Sequence, residues 1–454
     1  MRNLTREIAE FAASTKWTDV PAPAQEAVRR LVVDAVGCAL LGHSVHDADS
    51  FETTVRTFAG DGEVTVIGSA NSSAAAACLL NGYLITAATI CDVHLATQCH
   101  VCPEVLPPAF AIAESTRVSG EELAVAIAVG LETAVRIGIG LGPQTMRKRG
   151  WHAPGIIGPL GGAVAGTRVL GGTVAEHVAA LGIAGSQAAG TFAQWGTLTV
   201  KFHQSRGALS GLMAASLARD GFTSASDVLT STDGGIFNTY AGGGDAAETQ
   251  KGLGSRWELE RISLRPWPVA AYLQGLAMAL QPVLASAPHG AEPAQIVVQL
   301  SENSYALHGE MPWGSSFSAR LSARYVAAVA VLDRALWLDQ FSEQRVVDQV
   351  VDDLARRVKV SSDSTLPACG ARVLVTWSNG ATTTGEAVQT HGDPDTPISR
   401  EELTAKFVRC GGALAPERVL ASLAERWWHF DEEPDASVLI ASLRNLQGLK
   451  EQGR

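Results

Sequence analysis

The spacing of apolar positions divides the chain into a long helical stretch followed by a shorter mixed one. From Asn3 to about Ala225 the period is helical: Val28, Leu31, Ala35 and Cys38 recur at i, i+3, i+7 and i+10 and fall on one face. Further helices are predicted over Glu121 to Ile137, Ile156 to Val169, Val174 to Ala188 and Gly207 to Arg219. These runs are rich in Ala and Gly and poor in charge, so they must be covered on several sides, and their small side chains let neighbouring helices come close. Between Ser231 and Ser255 the pattern breaks, because Gly234, Gly235, Gly242, Gly243, Gly244, Gly252 and Gly254 interrupt any regular element. Beyond the break Ile296, Val298 and Leu300 alternate with polar positions, as do Val373, Val375 and Trp377 ahead of Asn379-Gly380, a hairpin signal. Two helical runs, Ser318 to Trp337 and Ser342 to Ala355, lie between these strands. A last break, Gly392-Asp393-Pro394-Asp395-Thr396-Pro397, precedes Ser399-Arg400-Glu401-Glu402, the start of a capping box.

The implied fold class is mainly α with a smaller α+β part. Residues 1–260 form a large helical bundle lobe that the final helices, 393–454, rejoin, and 261–392 form the small α+β lobe.

Composition narrows the partners. Of the 454 residues, 46% are hydrophobic and 18% charged, enough for a large core and too few charges for disorder. The 35 Lys and Arg against 46 Asp and Glu leave a net charge of −11, which speaks against nucleic acid or an anionic membrane as partner. Ser72 to Cys91, the longest uncharged stretch, is diluted by Asn81 and Gly82, so no membrane-spanning segment is expected. Arg2, Arg6, Glu7 and Glu10 leave no apolar leader at the N-terminus, and a cytoplasmic address is expected. Seven cysteines, an odd and sparse set, fit reduced thiols.

Three polar clusters can carry chemistry. Asp92-Val93-His94-Leu95-Ala96-Thr97-Gln98-Cys99-His100 reads as a loop between an apolar helix and Pro103, Pro107 and Pro108. There Asp92 can orient or acidify a histidine, and His94 or His100 can act as general base or acid. Helix capping and solvated side chains are the plainer account of the same residues. Cys99-x-x-Cys102 lacks the second pair that a zinc site or an iron–sulfur cluster needs, so no metal is assigned. In the second cluster His152 follows Lys148-Arg149-Gly150-Trp151 and precedes a low-charge helix, whose N-terminal end favours a carboxylate. Gly138-x-Gly140-x-Gly142 follows no strand, so a dinucleotide site is set aside and no cofactor is expected. In the third cluster, an extended Thr199 to His203 would place Thr199, Lys201 and His203 on one side, with Val200 and Phe202 opposite, and so suit an anionic substrate or a developing enolate. Tyr325, with Arg320 and Arg324 four apart on one helix, offers an acid and a carboxylate clamp, although a solvated arginine face fits as well.

Taken in order, Asp92-x-His94, His100, Gly150-Trp151-His152, Gly196-Thr197-x-Thr199, His203-x-x-Arg206 and Gly392-Asp393-Pro394 ahead of Ser399-Arg400-Glu401-Glu402 resemble the MmgE/PrpD family across nearly the whole chain. That family includes 2-methylcitrate dehydratase, cis-aconitate decarboxylase and iminodisuccinate epimerase. The resemblance implies a large helical lobe built from both chain ends, a small α+β lid lobe, a homodimer, and cofactor-free chemistry on a small carboxylate in the cleft between lobes. It places Asp92, His94, His100, His152, His203 and Tyr325 among the polar cleft residues. The catalytic candidates are therefore His152, His94, His100, Asp92 and Tyr325, and the substrate contacts Thr97, Thr199, Lys201, His203, Arg206 and Gln274.

Three departures stand out. Val200 occupies the family's usual lysine position with Lys201 one place later, Val101 replaces the proline after His100, and Val269-Ala270-Ala271 follows Arg265-Pro266-Trp267-Pro268 where polar residues are usual. The first and last point away from a tricarboxylate such as methylcitrate and toward a less charged acid, amide or biosynthetic intermediate. The expected function is a lyase, a dehydratase or decarboxylase working at a carbon beside a carboxylate. An epimerase or isomerase is the alternative, and a binding subunit without activity a second one.

Overall fold

The computed structural model describes residues 3–446. The chain forms two compact units. Within the described residues, one comprises 3–195, 199–262 and 399–446, and the other 196–198 and 263–398.

The first unit is helical. Its middle is the helix Ala153–Val169, which packs on Gly120–Leu141 on one side and on Thr199–Arg219 on another. Small residues make both contacts possible. A Cβ on Gly161 would lie 2.7 Å from the Cβ of Ala134, and one on Gly211 would lie 2.7 Å from the carbonyl carbon of Gly162. Only glycine lets these backbones pass at that distance. The helix Gly120–Leu141 is long and apolar enough to cross a bilayer, but 94% of its apolar window is buried within the protein. Val28, Leu31, Ala35 and Cys38 are all buried in the helix Ala22–Gly42, as their period implies. The C-terminal helix Arg400–Gly411 starts with the expected box, Ser399 accepting from the Glu402 N–H and Glu402 from the Ser399 N–H. It packs on Ala22–Gly42, where the Lys406 ammonium reaches Asp34 Oδ1 at 2.6 Å and the Ile90 carbonyl at 3.1 Å.

The helix Thr199–Arg219 corrects the extended reading of its first five residues. The alternation Thr-Val-Lys-Phe-His imitates a strand, but His203, Gly207 and Gly211 continue at four-residue spacing into a close helix contact, and that packing wins. On a helix Lys201 and His203 are about 200° apart and point to opposite sides. Val200 is buried while Phe202 is exposed, so these two part company as well.

The second unit is built on a four-stranded sheet of order β2-β1-β3-β4, with β1 Pro293–Leu300, β2 Lys359–Ser362, β3 Ala371–Trp377 and β4 Thr382–Ala387. β1 pairs in parallel with β2 and antiparallel with β3, which forms a hairpin with β4. Ile296, Val298 and Leu300 face the core with Val373, Val375 and Trp377. The hairpin turns at Ser378-Asn379-Gly380, and Gly380 takes the positive φ (82°) that closes such a three-residue loop. Both predicted long helices of this unit are broken. Ser322 caps a new helix, Ala323–Asp333, and Asp348 caps Gln349–Arg357 by accepting from the Val350 and Val351 N–H groups. Arg320 and Arg324 therefore belong to different elements.

One buried group yields a test of the first unit. Neither ring nitrogen of His177 has a hydrogen-bond partner among the described residues, and burial, reinforced by Arg168 and partly offset by Glu176, lowers its pKa to about 4. A folded pKa below the free value of 6.5 gives stability that is present above pH 6.5 and lost as the pH falls through about 4, at up to about 1.4 kcal/mol per pH unit. His177→Leu should flatten this acid limb and raise the midpoint, because an unpaired buried ring is replaced by an apolar one. Thermal melts from about pH 7 to 4 check it; an unchanged slope would assign the limb to other groups.

Candidate active site

Every polar group brought together here lies in the first unit, and the first part of the site is the loop after the helix Ala74–Ala87. Asp92 is buried, and its Oδ2 accepts from the N–H groups of Val101 (2.8 Å) and Cys102 (3.3 Å), capping the helix Cys102–Thr116. Val101 thus supplies a donor that a proline would lack, which is a structural role for that departure. His94 and Cys99 face each other across the loop, with the His94 N–H on the Cys99 carbonyl at 2.8 Å. Inside the turn Thr97 Oγ1 lies 3.0 Å from His94 Nδ1, and Gln98 takes a positive φ of 54°. Thr97 therefore positions His94. His100 Nδ1 sits 2.6 Å from the Asp92 carbonyl oxygen. A carbonyl only accepts, so Nδ1 carries the hydrogen and Nε2 keeps the lone pair when the ring is neutral.

The second part is a histidine pair. His152 is the N-cap of Ala153–Val169, and its backbone N–H donates to the Gly190 carbonyl at 3.0 Å. His203, on the first turn of Thr199–Arg219, brings its Nδ1 to 3.1 Å from Nδ1 of His152. One of these nitrogens must donate and the other accept, so the two neutral rings hold opposite tautomers. Together they share one hydrogen between them, and their outer nitrogens comprise one N–H and one lone pair. Burial lowers the pKa of His152 well below its ordinary value, with His203, His100 and Lys201 adding to the effect. A place at a helix N-terminus disfavours the cation further. His203 is lowered too, by burial and then by Arg206, and His94 falls to about 4 through burial and Arg261. These three imidazoles are neutral at pH 7.

Lys201 turns to the other side of its helix. Its ammonium donates to the Thr86 carbonyl at 2.7 Å and to Thr89 Oγ1 at 3.1 Å, and Thr89 adopts a positive φ of 60°, rare for a β-branched residue. The convergence of Thr199, Lys201 and His203 is thus corrected: Thr199 is exposed at the helix start, while Lys201 and His203 serve separate neighbourhoods.

Several other candidates are occupied internally. Arg206 is bonded to backbone carbonyls. Gln274 spends its amide on Trp267 and Val269, its Nε2 donating to both carbonyls and its Oε1 accepting the Trp267 N–H. Tyr325 is fully buried in the second unit, its hydroxyl donates to the Gln340 carbonyl at 2.8 Å, and burial raises its pKa. Arg324 is paired with Glu310, and Arg320 bonds Ser316 and lies over the Phe341 ring. Among the described residues no group of three His, Cys, Asp or Glu side chains is placed to hold a metal ion. Cys99 and Cys102 are buried thiols whose pKa burial raises well above the ordinary value. Glu104 was not among the sequence candidates: it is fully buried, neither carboxyl oxygen has a hydrogen-bond partner among the described residues, and a Cβ on Gly158 would overlap its carboxyl group. The signal available was an acidic residue in the first turn of a helix whose next nine residues, Val105 to Ala113, are uncharged and apolar.

Paired neutral histidines near a buried carboxyl are the equipment of an enzyme that moves protons on a small molecule. The chain belongs to the MmgE/PrpD family: the MmgE/PrpD N-terminal domain matches residues 6–249 and the C-terminal domain 268–428. It is similar to the cis-aconitate decarboxylase-like protein oryM of Aspergillus oryzae, 27% identical over 97% of both chains. The cis-aconitate decarboxylase of Aspergillus terreus is 27% identical over 97% of this chain and 96% of its own, and that of Mus musculus 25% over 92% and 88%. The protein is an enzyme of this family's lyase type.

Asp92 provides a test of the loop. Burial, then Cys91, raises its pKa from 3.8 to about 7 against the opposing effect of His100 and two backbone N–H groups. A carboxyl whose pKa rises on folding stabilises the fold fully below pH 3.8 and loses that contribution as the pH rises through about 7. Asp92→Asn keeps an acceptor oxygen and cannot ionise, so its thermal midpoint should gain on wild type across that window. A difference that stays constant from about pH 4 to 8 would show Asp92 ionised throughout.

Proposed function

We propose that the protein is a cofactor-independent decarboxylase of a small unsaturated carboxylic acid, with cis-aconitate as the first compound to try. The observation that carries this reading is the Nδ1–Nδ1 contact of His152 and His203, at 3.1 Å. The names of the relatives support the reaction class.

The chemistry asks for one proton and no oxidant. When CO₂ leaves a carboxymethyl group attached to an alkene, the bond pair forms a new double bond and the old one shifts. Charge then lands on the far alkene carbon, beside a second carboxylate, as a dienolate. That carbon takes up a proton, so carboxylate plus H⁺ becomes CO₂ plus a new C–H bond. A neutral histidine pair can deliver it without forming an imidazolium. A proton enters at one outer Nε2, the shared hydrogen crosses between the Nδ1 atoms, and a proton leaves from the other Nε2 with both tautomers reversed. The lowered pKa values of both rings suit such a relay, because each stays neutral between steps. His100 is the candidate base for the same substrate, its ring held by the Asp92 carbonyl.

The relay runs equally well in reverse, and this favours a second reading, an isomerase or epimerase that removes and returns a proton without loss of mass. Lys201, bonded internally, is no free cation for a third carboxylate, so the dicarboxylates and amides of the panel stand beside cis-aconitate, itself a tricarboxylate like methylcitrate.

Incubation in D₂O with cis-aconitate and a panel of related di- and tricarboxylates and their amides, read by proton NMR and mass, tests this. Loss of 44 mass units (about, for CO₂) with one deuterium at the carbon beside a carboxylate supports the decarboxylase. Exchange or inversion at constant mass favours the isomerase, and loss of water refutes both. For the compound turned over, His152→Gln and His203→Gln should each lower kcat by about 10²–10⁴-fold, and the double variant should lose little more than either single one, because the rings act as a unit. Fully additive losses would separate their roles.

A further inference from the structure

We propose that Arg206 is a positioning residue that fixes the geometry of the His152–His203 pair, and not a contact for the substrate. The inference rests on the relay proposed for that pair.

Arg206 follows His203 by three residues, so it lies one turn further along the same helix. Its guanidinium reaches three carbonyls: Nη1 donates to Gln187 at 2.5 Å, and Nη2 to Ala189 at 2.9 Å and Gly155 at 3.2 Å. Nη1 also meets Ser210 Oγ at 3.1 Å. The planar fork thereby ties three pieces of backbone together: the helix that carries His203, the first turn of the helix capped by His152, and the segment 187–189.

That segment forms the wall on which both rings are set. Ala189 N–H donates to the Gly155 carbonyl at 3.0 Å, and the next residue, Gly190, accepts the His152 N–H. Gly190 has φ 148°, and a Cβ there would sit 2.9 Å from Nδ1 of His203. The His203 ring therefore rests directly on the Gly190 backbone. A Cβ on Gly155 would run into the Ala189 carbonyl and come within 3.3 Å of the His203 Cβ. Both glycines are required by these approaches, and the Gly155 and Ala189 carbonyls of this contact both accept from Arg206.

The charge around Arg206 agrees with this role. The nearest acid that acts on it is Glu104, and no ion pair forms between them among the described residues. Glu104 is wholly buried against Gly158 and Gly207, and burial, then Asp92, raises its pKa well above the ordinary carboxylate value against the opposing pull of Arg206. The guanidinium is thus satisfied by carbonyl dipoles, and a substrate carboxylate would have to displace them and release the wall that holds the histidines.

A shift of about 1 Å in such a pair is enough to cost about 10²-fold in rate. The test uses Arg206→Met, Arg206→Lys and, for chemical rescue, Arg206→Ala in the full chain. The first readout needs no turnover: ¹⁵N-histidine NMR across pH. Wild type should show one Nδ1–H and one Nε2–H tautomer for the pair, neither titrating near pH 6.5, while in Arg206→Met both rings should lose the opposed pattern and titrate near about 6.5. The second readout is kinetic, with kcat falling by about 10²-fold or more while KM stays within about threefold, and partial recovery of kcat on adding guanidinium ion to Arg206→Ala. An unchanged ¹⁵N pattern overturns the proposal, and so does a tenfold or greater (about) rise in KM at constant kcat, which would make Arg206 a substrate contact. If Arg206→Met fails to fold, Arg206→Lys, which keeps the charge but cannot span the carbonyls, is read by the same two criteria. If no compound is turned over at all, the proposed reaction falls and the NMR arm still decides the role of Arg206.

Discussion

The rest of the first unit depends on how closely three helices pass one another. Ala153–Val169 runs between Gly120–Leu141 and Thr199–Arg219 with glycines at the crossing points, leaving no room for a single extra carbon at Gly161 or Gly211. Interiors are packed tightly enough that a methyl group at such a point must displace backbone. The contact does more than bury area. It fixes the first turns of the two helices relative to each other, and those turns carry His152 and His203. Helix packing farther along thus brings the two imidazoles to the same place, where the local backbone contacts then hold them.

Around that frame, nearly every polar side chain near the histidines is used to hold backbone. Asp92 caps a helix, Thr97 closes a loop on His94, Lys201 grips the end of the helix Ala74–Ala87, and Arg206 gathers carbonyls. A buried polar atom left without a partner costs more than a good hydrogen bond returns, so a site this deep needs such holding groups. Among the described residues, those left unpaired include one oxygen of Asp92 and both of Glu104, carboxyls whose pKa burial raises.

Much of this was legible in the sequence, and the failures share a cause. The helix Ala22–Gly42, the capping box at Ser399, the alternation in β1 and β3 and the loop around Asp92 all follow from local chemistry, which a single chain displays. Asp92, His94, His100, His152 and His203, taken from the polar clusters, all lie in one unit. The misread stretch, Thr199 to His203, has a strand's alternation and becomes helical because of glycines one and two turns later that meet another helix. The two long helices expected in the second unit are divided by Ser322 and Asp348, whose side chains could equally have faced solvent. Gln274 and Tyr325 carry the right functional groups for a site but spend them on carbonyls within their own unit. Which partner a polar group chooses is decided in three dimensions, so residue type alone could not tell a substrate contact from a staple.

The opposed tautomers of His152 and His203 carry a further meaning for the chain as a whole. A pair that shares one hydrogen has no charge to gain or lose between turnovers, and it has no built-in direction. Whether the protein adds a proton, removes one, or does both in succession is then left to the molecule that binds: to which of its bonds is weakest and which carbon is presented. A scaffold of this kind can pass from one reaction to another by reshaping what surrounds the substrate, with the histidines themselves left untouched.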